Sequence, residues 1–102
     1  MSLELLAEQR PSVARALYKY KNEIFKPGAL TVREKELIAV ALSCLLRCET
    51  CLEFHADRAM EAGATKEDLR ETLDVTMYMT GPSTLMWSSA IENLVQDDSD
   101  EG

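Results

Sequence analysis

Two cysteines and the only histidine of the chain lie close together, in the stretch from Cys48 to His55. Cys51 follows Cys48 by three residues, and His55 follows Cys51 by four. Residues four apart on a helix share one face, with roughly 5–6 Å between their Cβ atoms, so a helical segment brings Cys51 and His55 into contact. An imidazole beside a thiol accepts its proton, and the thiolate is the nucleophilic form. This spacing predicts a redox dithiol with its own base.

Glu36 is a candidate fourth member of this group. If the chain reverses near Arg47, Glu36 precedes the turn by eleven residues and His55 follows it by eight. At 1.5 Å of rise per residue, their heights along two antiparallel helices differ by only about 4–5 Å. The carboxylate can then orient or recharge the imidazole, directly or through one water. The other interpretation is a solvated acid near a helix start, where the macrodipole favours it, and spacing does not separate the two.

Two other interpretations of the sulfur atoms remain. Cys44, Cys48, Cys51 and His55 are four potential zinc ligands, but on one continuous helix they span about 16 Å, too far to surround one ion. A sharp bend would be needed, so no metal site is predicted. Cysteine is also often buried as a small hydrophobe. That interpretation suits Cys44, which lies within an apolar run, and it explains the spacing of the other three residues less well.

The elements that position these residues are all predicted to be helices. The first elements are one or two turns within residues 1–10 and a helix from Pro11 to Phe25. A capping box of Thr31 and Glu34 begins the next helix, and another runs from Cys48 or Glu49 to Glu61. Thr65 opens a helix that stops at Gly81-Pro82, and the last helix begins at Pro82 or Ser83. No segment shows the alternation of a β-strand. The sequence therefore predicts an all-α fold of five to six helices.

Two sets of apolar residues lead to further predictions. The helix after Thr31 has a wide apolar face, formed by Leu37, Ile38, Ala41, Leu42 and Leu45 and extended by Val40, Cys44 and Leu46. Such breadth predicts burial on more than one side, part of it against another subunit. A second group, Met77, Tyr78, Met79, Met86 and Trp87, either lines an apolar approach to the thiols or belongs to the core or a subunit interface.

Length and charge limit the functions to consider. The chain has 102 residues and a formal net charge of −7. Acids are concentrated in the last six residues, so residues 1–96 are predicted to be one domain and residues 97–102 a disordered acidic tail. No basic stripe is present, so nucleic acid is not an expected partner. The sequence shows neither a signal peptide nor an apolar run of roughly 20 residues, which predicts a cytoplasmic protein that does not enter membranes.

The four site residues and their spacing also resemble a known sequence signature. Glu36, Cys48, Cys51 and His55 at these intervals resemble the E-x11-C-x2-C-x3-H signature of the AhpD-like alkylhydroperoxidases, within the carboxymuconolactone decarboxylase superfamily. The likeness extends from about Leu30 to the last helix. It implies an all-helical bundle whose subunits assemble as trimers or hexamers.

The resemblance further implies a chemistry. Cys51 attacks a small hydroperoxide, His55 and Glu36 relay protons, and Cys48 resolves the sulfenic acid as a disulfide. A dithiol partner, such as a lipoyl group or a thioredoxin-like protein, restores the pair, and no cofactor is required. One position departs from the pattern, because Thr50 stands where the family's peroxidases carry a histidine. Two alternatives stay open: decarboxylation of a lactone acid, although such members lack the redox dithiol, and a redox-sensing module without turnover.

Overall fold

The computed structural model describes residues 3–96, which form six α-helices and one 3₁₀ helix. The helices are α1 (Leu3–Gln9), α2 (Pro11–Phe25), α3 (Val32–Leu46), α4 (Glu49–Glu61), α5 (Lys66–Thr80), the 3₁₀ helix (Pro82–Leu85) and α6 (Ser89–Val95). The predicted all-α fold is confirmed. The predicted acidic tail, residues 97–102, lies outside the described residues. The assignment of residues 1–96 to a single domain stays a prediction.

Two capping boxes begin α3 and α5. The Thr31 hydroxyl accepts the backbone N–H of Glu34 at 3.1 Å, and the Glu34 carboxylate accepts the N–H of Thr31 at 2.8 Å. Thr65 and Asp68 repeat the arrangement with the same two distances. Each box satisfies backbone donors that the start of a helix leaves unpaired. The predicted helix starts at Thr31 and Thr65 are therefore confirmed, and in each case by the side chains that predicted them.

The reversal between α3 and α4 occurs at Arg47, as predicted. Arg47 has φ 52° and ψ 41°, in the left-handed region, and its backbone N–H donates to the carbonyls of Ser43 and Cys44. The N–H of Cys48 also donates to the Ser43 carbonyl, at 3.2 Å. This closes the last turn of α3 and lets α4 begin almost at once. The two helices consequently pack along each other, which brings residues early in α3 next to residues late in α4.

The core lies among α3, α4, α5 and α6. Its buried residues are Val40, Cys44, Leu52, Ala56, Leu69, Leu73, Ala90 and Ile91. On α3 the buried pair is Val40 and Cys44, while Ile38, Leu42 and Leu45 are about half exposed. Within the chain, α4 and α5 cover only the stripe of the wide α3 face that runs through Val40 and Cys44. The cover expected from another subunit stays a prediction. None of the helices within residues 3–96 is long and apolar enough to cross a membrane.

The predicted start of the last helix, at Pro82 or Ser83, is wrong. Pro82 begins a 3₁₀ helix that ends at Leu85, and α6 begins only at Ser89. Ser88 is the N-cap of α6, with its hydroxyl accepting the N–H of Ala90 at 3.0 Å and donating to the Glu49 carboxylate at 2.6 Å. These two bonds hold Ser88 in extended backbone geometry, which ends one helical segment and starts another.

The first two helices form an arm against one end of this core. Within α1 and α2, Ala14 alone is buried among the described residues. The end of α2 is fastened to α3 by Lys35, whose ammonium donates to the carbonyls of Ile24 at 2.8 Å and Lys26 at 2.7 Å. These bonds satisfy carbonyls that the end of a helix leaves unpaired. They also fix the last turn of α2 beside the Glu36 region of α3.

Candidate active site

The two cysteines of the CxxC pair lie at the start of α4 and form a disulfide with a Cα–Cα distance of 5.2 Å. Cys48 is the N-cap, and its sulfur accepts the backbone N–H of Cys51 at 3.3 Å. Thr50, at the position that departs from the family pattern, has its hydroxyl 3.6 Å from the same sulfur. Since a disulfide sulfur only accepts, Thr50 is the donor. The helix start therefore directs partial positive charge at both sulfurs, which favours a thiolate after reduction.

His55 lies one helical turn after Cys51, and its ring contacts Glu36. The distance from His55 Nδ1 to Glu36 Oε1 is 3.0 Å, and to Oε2 it is 3.4 Å. The Glu36 side chain is only 5% exposed and that of His55 20%. An ionised carboxylate only accepts hydrogen bonds, so His55 Nδ1–H is the donor and Nε2 keeps its lone pair for another partner. Of the two interpretations of Glu36, the structure shows the direct contact.

Two aromatic rings hold the imidazole in place. Phe25, at the end of α2, stacks on His55 with ring centroids 5.7 Å apart and an interplanar angle of 15°. Phe54 meets the ring edge-on, with centroids 5.1 Å apart and an angle of 85°. The imidazole is thus restrained on one face, along one edge and at Nδ1. These contacts leave the remaining nitrogen as the chemically available part of the ring.

The sulfurs and the imidazole open into a groove of about 820 Å³ between α4 and the α1–α2 arm. The apolar residues that line it are Leu3, Leu17, Tyr20, Ile24, Phe25 and Phe54. This volume is within the range typical of small-molecule sites. Cys48, Cys51 and His55 all line the groove, so a ligand bound there is adjacent to all three.

Of the two interpretations of the C-terminal apolar group, an apolar approach to the thiols is wrong. Neither Trp87 nor the group of Met77, Tyr78, Met79 and Met86 lines the groove. Trp87 packs against the core, and the other four side chains are exposed elsewhere on the surface. The reason is that α5 packs on α3, the 3₁₀ helix and α6, whereas the groove at the sulfurs is lined by residues of the arm and of α4.

A second cavity, of about 300 Å³, lies on the other side of the site. Glu36 lines it together with Val32, Arg58 and Glu61, whereas the two cysteines and His55 do not. Lys21 and Phe25 line both cavities and so form the boundary between them. Of the Glu36–His55 pair, Glu36 therefore lines the smaller cavity and His55 the larger one.

The third cysteine is apart from this chemistry. Cys44 is fully buried in the core as a free thiol, and burial raises its pKa. Because Cys48 and Cys51 are disulfide bonded, the four residues considered as zinc ligands do not form a ligand set here. No group of three histidine, cysteine or acidic side chains in residues 3–96 is placed to hold a metal ion. The packed-thiol interpretation therefore holds for Cys44.

Comparison with known proteins identifies the family. The sequence profile described as the carboxymuconolactone decarboxylase family matches residues 11–91. The chain belongs to the carboxymuconolactone decarboxylase family. This family includes AhpD-like proteins, so the resemblance predicted from Glu36, Cys48, Cys51 and His55 is confirmed.

Solved structures and a sequence relative agree with this membership. A carboxymuconolactone decarboxylase family protein from Legionella pneumophila is similar with a TM-score of 0.80 at 32% identity, covering 92% of this chain and 88% of that one. A family protein from Thermotoga maritima, with a suggested part in an antioxidative response, has a TM-score of 0.76 at 24% identity, covering 91% and 80%. An uncharacterized protein of Cupriavidus necator is 33% identical over 84 residues, 82% of this chain and 74% of that protein.

Sequence reasoning did not find the contribution of α2 to this carboxymuconolactone decarboxylase family site. Leu17 and Ile24 recur at helical spacing, a pattern typical of the core face of an amphipathic helix, but they line the groove and are about half exposed. A signal was present, because Lys21 lies between them on the same helical face and a buried face rarely includes a lysine. Phe25, one turn after Lys21, continues the same face of α2 and stacks on the His55 imidazole.

Proposed function

We propose that the protein is a thiol–disulfide oxidoreductase that reduces small hydroperoxides. The observation that carries the proposal is the Cys48–Cys51 disulfide in a groove shared with His55, whose Nδ1 is held by the buried Glu36 carboxylate. A dithiol that closes a disulfide can cycle between two redox states. The suggested antioxidative part of the Thermotoga protein supports the same direction of chemistry.

In the oxidative half, the Cys51 thiolate attacks the terminal oxygen of a hydroperoxide, ROOH. The O–O bond breaks, Cys51 becomes a sulfenic acid, and the leaving alkoxide takes a proton to become ROH. The Cys48 thiol then attacks the sulfenic sulfur, which forms the disulfide and releases water. Two electrons and two protons leave the dithiol, and they appear in one alcohol and one water.

His55 and Glu36 supply the proton transfers in this scheme. His55 Nε2 takes the proton of the Cys51 thiol and returns it to the alkoxide, so His55 is the general base and then the general acid. Glu36 stabilises the imidazolium formed between these steps through the 3.0 Å contact with Nδ1. Glu49 and Glu53 oppose thiolate formation, but both are exposed, and Glu49 accepts a hydrogen bond from Ser88.

In the reductive half, a partner dithiol restores Cys48 and Cys51 by thiol–disulfide exchange. A lipoyl group or a thioredoxin-like protein has the required chemistry, since each gives up two electrons and two protons as it closes its own disulfide. The groove at the sulfurs gives such a donor access to the bond. The full cycle then converts ROOH and a dithiol into ROH, water and a disulfide.

Turnover of hydroperoxides with lipoyl and thioredoxin-type donors tests the proposal. We expect continuous consumption of donor in the wild type and its loss in Cys51→Ser. The matched control is Cys44→Ala, which removes the thiol outside the groove, with its folding checked by circular dichroism. A single stoichiometric oxidation of the wild type, without further consumption, would contradict the enzyme and indicate a redox sensor.

His55→Gln tests the base separately. The substitution keeps a polar side chain of similar size but removes the proton acceptor, so we expect turnover at neutral pH to fall about 10²- to 10⁴-fold. Full activity of His55→Gln at neutral pH would show that the proton transfer does not pass through the imidazole.

A further inference from the structure

The groove beside the disulfide is unusual in its charge. The chain as a whole carries a formal net charge of −7, yet no aspartate or glutamate is among the residues that line the groove. Lys21 is its one lysine or arginine. The other lining residues are apolar or aromatic, except for Thr50 and the three candidate catalytic residues Cys48, Cys51 and His55. A ligand in this groove therefore meets apolar surface and one cation, while the acids Glu36 and Glu61 line only the smaller cavity that Lys21 also borders.

Lys21 is also unpaired within the described part of the chain, residues 3–96. Its recorded contact is with the face of the Phe54 ring, 4.7 Å from ammonium to centroid. By contrast, Lys26 pairs with Glu23 at 2.8 Å and Arg58 with Glu61 at 3.2 Å. Phe54 fixes the ammonium at the groove wall, one residue before His55 in the sequence. An ammonium held against apolar surface without a counter-ion gains most from an anion that arrives with the ligand.

We propose that the groove binds a small amphipathic monoanion, an apolar chain or ring carrying one carboxylate, with that carboxylate paired to Lys21. In the form that rests on the proposed function, the ligand is a hydroperoxide of a monocarboxylic acid. Its apolar part lies along Leu17, Ile24 and Phe25, and its hydroperoxide group meets Cys51. The volume of about 820 Å³ accommodates a chain of this kind. The redox chemistry is unchanged from that given above, since Lys21 takes part in binding only.

Binding to the oxidised protein tests the inference without any turnover. The probes are octanoate, octanol and octyltrimethylammonium, each titrated into the disulfide form and followed by NMR shifts of the Phe25, Phe54 and His55 rings. We expect octanoate to bind tightest, with its advantage reduced by added salt because the pair is electrostatic. Equal affinity for octanoate and octanol, or tighter binding of the cation, would overturn the proposal.

Variants of two lysines on α2 locate the charge. Lys21→Met keeps the length of the side chain and removes the ammonium, so we expect octanoate affinity to fall about fivefold, the size of a partly exposed ion pair, and octanol affinity to stay. Lys21→Arg should restore octanoate binding. Lys19→Met is the matched control, because Lys19 is exposed on the same helix and does not line the groove. An equal loss in both methionine variants would overturn the assignment to Lys21.

Turnover then separates this inference from the proposed function. The substrates are a fatty-acid hydroperoxide and its methyl ester, compared by kcat/KM in the wild type and in Lys21→Met. We expect the acid to be preferred several-fold in the wild type and the preference to be lost in the variant. Turnover of both without preference overturns the inference and leaves the proposed function. Selective binding of octanoate without turnover of any hydroperoxide supports the site and overturns the peroxidase.

Discussion

At the scale of single residues, Glu36 is the least expected side chain in the structure. A carboxylate that is 95% buried is unfavourable unless hydrogen bonds compensate for its lost hydration. The recorded partner of Glu36 is His55, at 3.0 and 3.4 Å, on the next helix. A leucine at this position would cost the fold less. The pair is therefore better explained by what it does to the imidazole than by its effect on stability.

Glu36→Gln should separate these two effects. The glutamine keeps an oxygen that accepts His55 Nδ1–H, so we expect the free energy of unfolding to change by only about 1 kcal/mol. The negative charge that stabilises an imidazolium is lost, so we expect turnover to fall at least about tenfold. Urea unfolding and peroxide turnover measure the two quantities on the same preparation.

Glu61→Gln is the matched control, because Glu61 lines the same smaller cavity but pairs with Arg58 and does not contact His55. We expect its turnover to equal that of the wild type. If both glutamine variants lost activity equally, the effect would belong to the charge of the cavity and not to the hydrogen bond with His55.

Cys44 allows a second prediction at this scale. Its side chain is fully buried and burial raises its pKa, so little thiolate forms near neutral pH. After reduction of the disulfide, iodoacetamide at about pH 8 should label Cys48 and Cys51 but not Cys44. Mass spectrometry should then show two adducts on the native protein and three in urea, from the three cysteines of the chain. Rapid native labelling of Cys44 would contradict its place in the core.

Single residues also mark where prediction from sequence succeeds. The turn at Arg47 and the helical rise, which are local properties, made a contact between Glu36 and His55 one of two interpretations, and the structure shows that contact. Lys21 indicates only that its face of α2 is not fully buried, and the element that it faces could not be predicted in this way. Its place in the groove depends on how the arm packs against α4, and no local pattern in α2 contains that angle.

At the scale of elements, the helix starts are the most predictable part of the fold. Thr31–Glu34 is a capping box in the sequence and in the structure, and Thr65, expected to open a helix, forms a capping box with Asp68. The break before α6 was missed because it depends on Ser88 bonding to Glu49, a residue 39 positions away. Which stripe of the wide α3 face lies against α4 and α5 could not be predicted for a similar reason, since only the packed structure shows it.

The capping boxes predict how stability depends on pH. Hydrogen bonds from the backbone of Thr31 and Thr65 hold the pKa values of Glu34 and Asp68 below their ordinary values of 4.5 and 3.8. A carboxyl group with a lowered pKa in the folded state stabilises the fold above its ordinary pKa, and this is lost as pH falls through the folded value. We therefore expect the free energy of unfolding to decrease below about pH 4.5.

Urea unfolding of Glu34→Gln/Asp68→Asn across this range tests that prediction. We expect the double variant to be less stable at neutral pH and to lose less stability on acidification. Glu71→Gln/Asp74→Asn makes the same change of charge on exposed positions of α5 and should keep the wild-type profile. An unchanged acid profile in the first double variant would show that other groups determine it.

At the scale of the whole molecule, much apolar surface is left uncovered. Ile38, Leu42 and Leu45 form one half-exposed stripe on α3, and Tyr78 and Met79 on α5 are 87% and 73% exposed. The radius of gyration is 15.1 Å, against about 13 Å for a compact domain of about 100 residues. Exposed patches of this kind on a small domain are typical of subunit interfaces. These patches agree with the sequence-based expectation of a homo-oligomer, trimeric or hexameric, which stays a prediction.

Size-exclusion chromatography with light scattering measures this directly. We expect a mass that is a multiple of the 11.4 kDa chain and a decrease in that mass for Leu42→Glu, because a charge in an apolar interface opposes association. Leu30→Glu changes a similarly exposed leucine outside α3 and should keep the wild-type mass. A monomeric wild type at tens of micromolar would contradict the prediction.

The boundary formed by Lys21 and Phe25 has a last consequence. Glu36 lines the small cavity whereas the sulfurs line the groove, so we expect water to exchange hydrogen with the relay while a reactant still fills the groove. Proton exchange then uses the small cavity, and the thiol–disulfide chemistry uses the groove. Deuterium uptake at the imidazole should consequently be as fast with octanoate bound as without it.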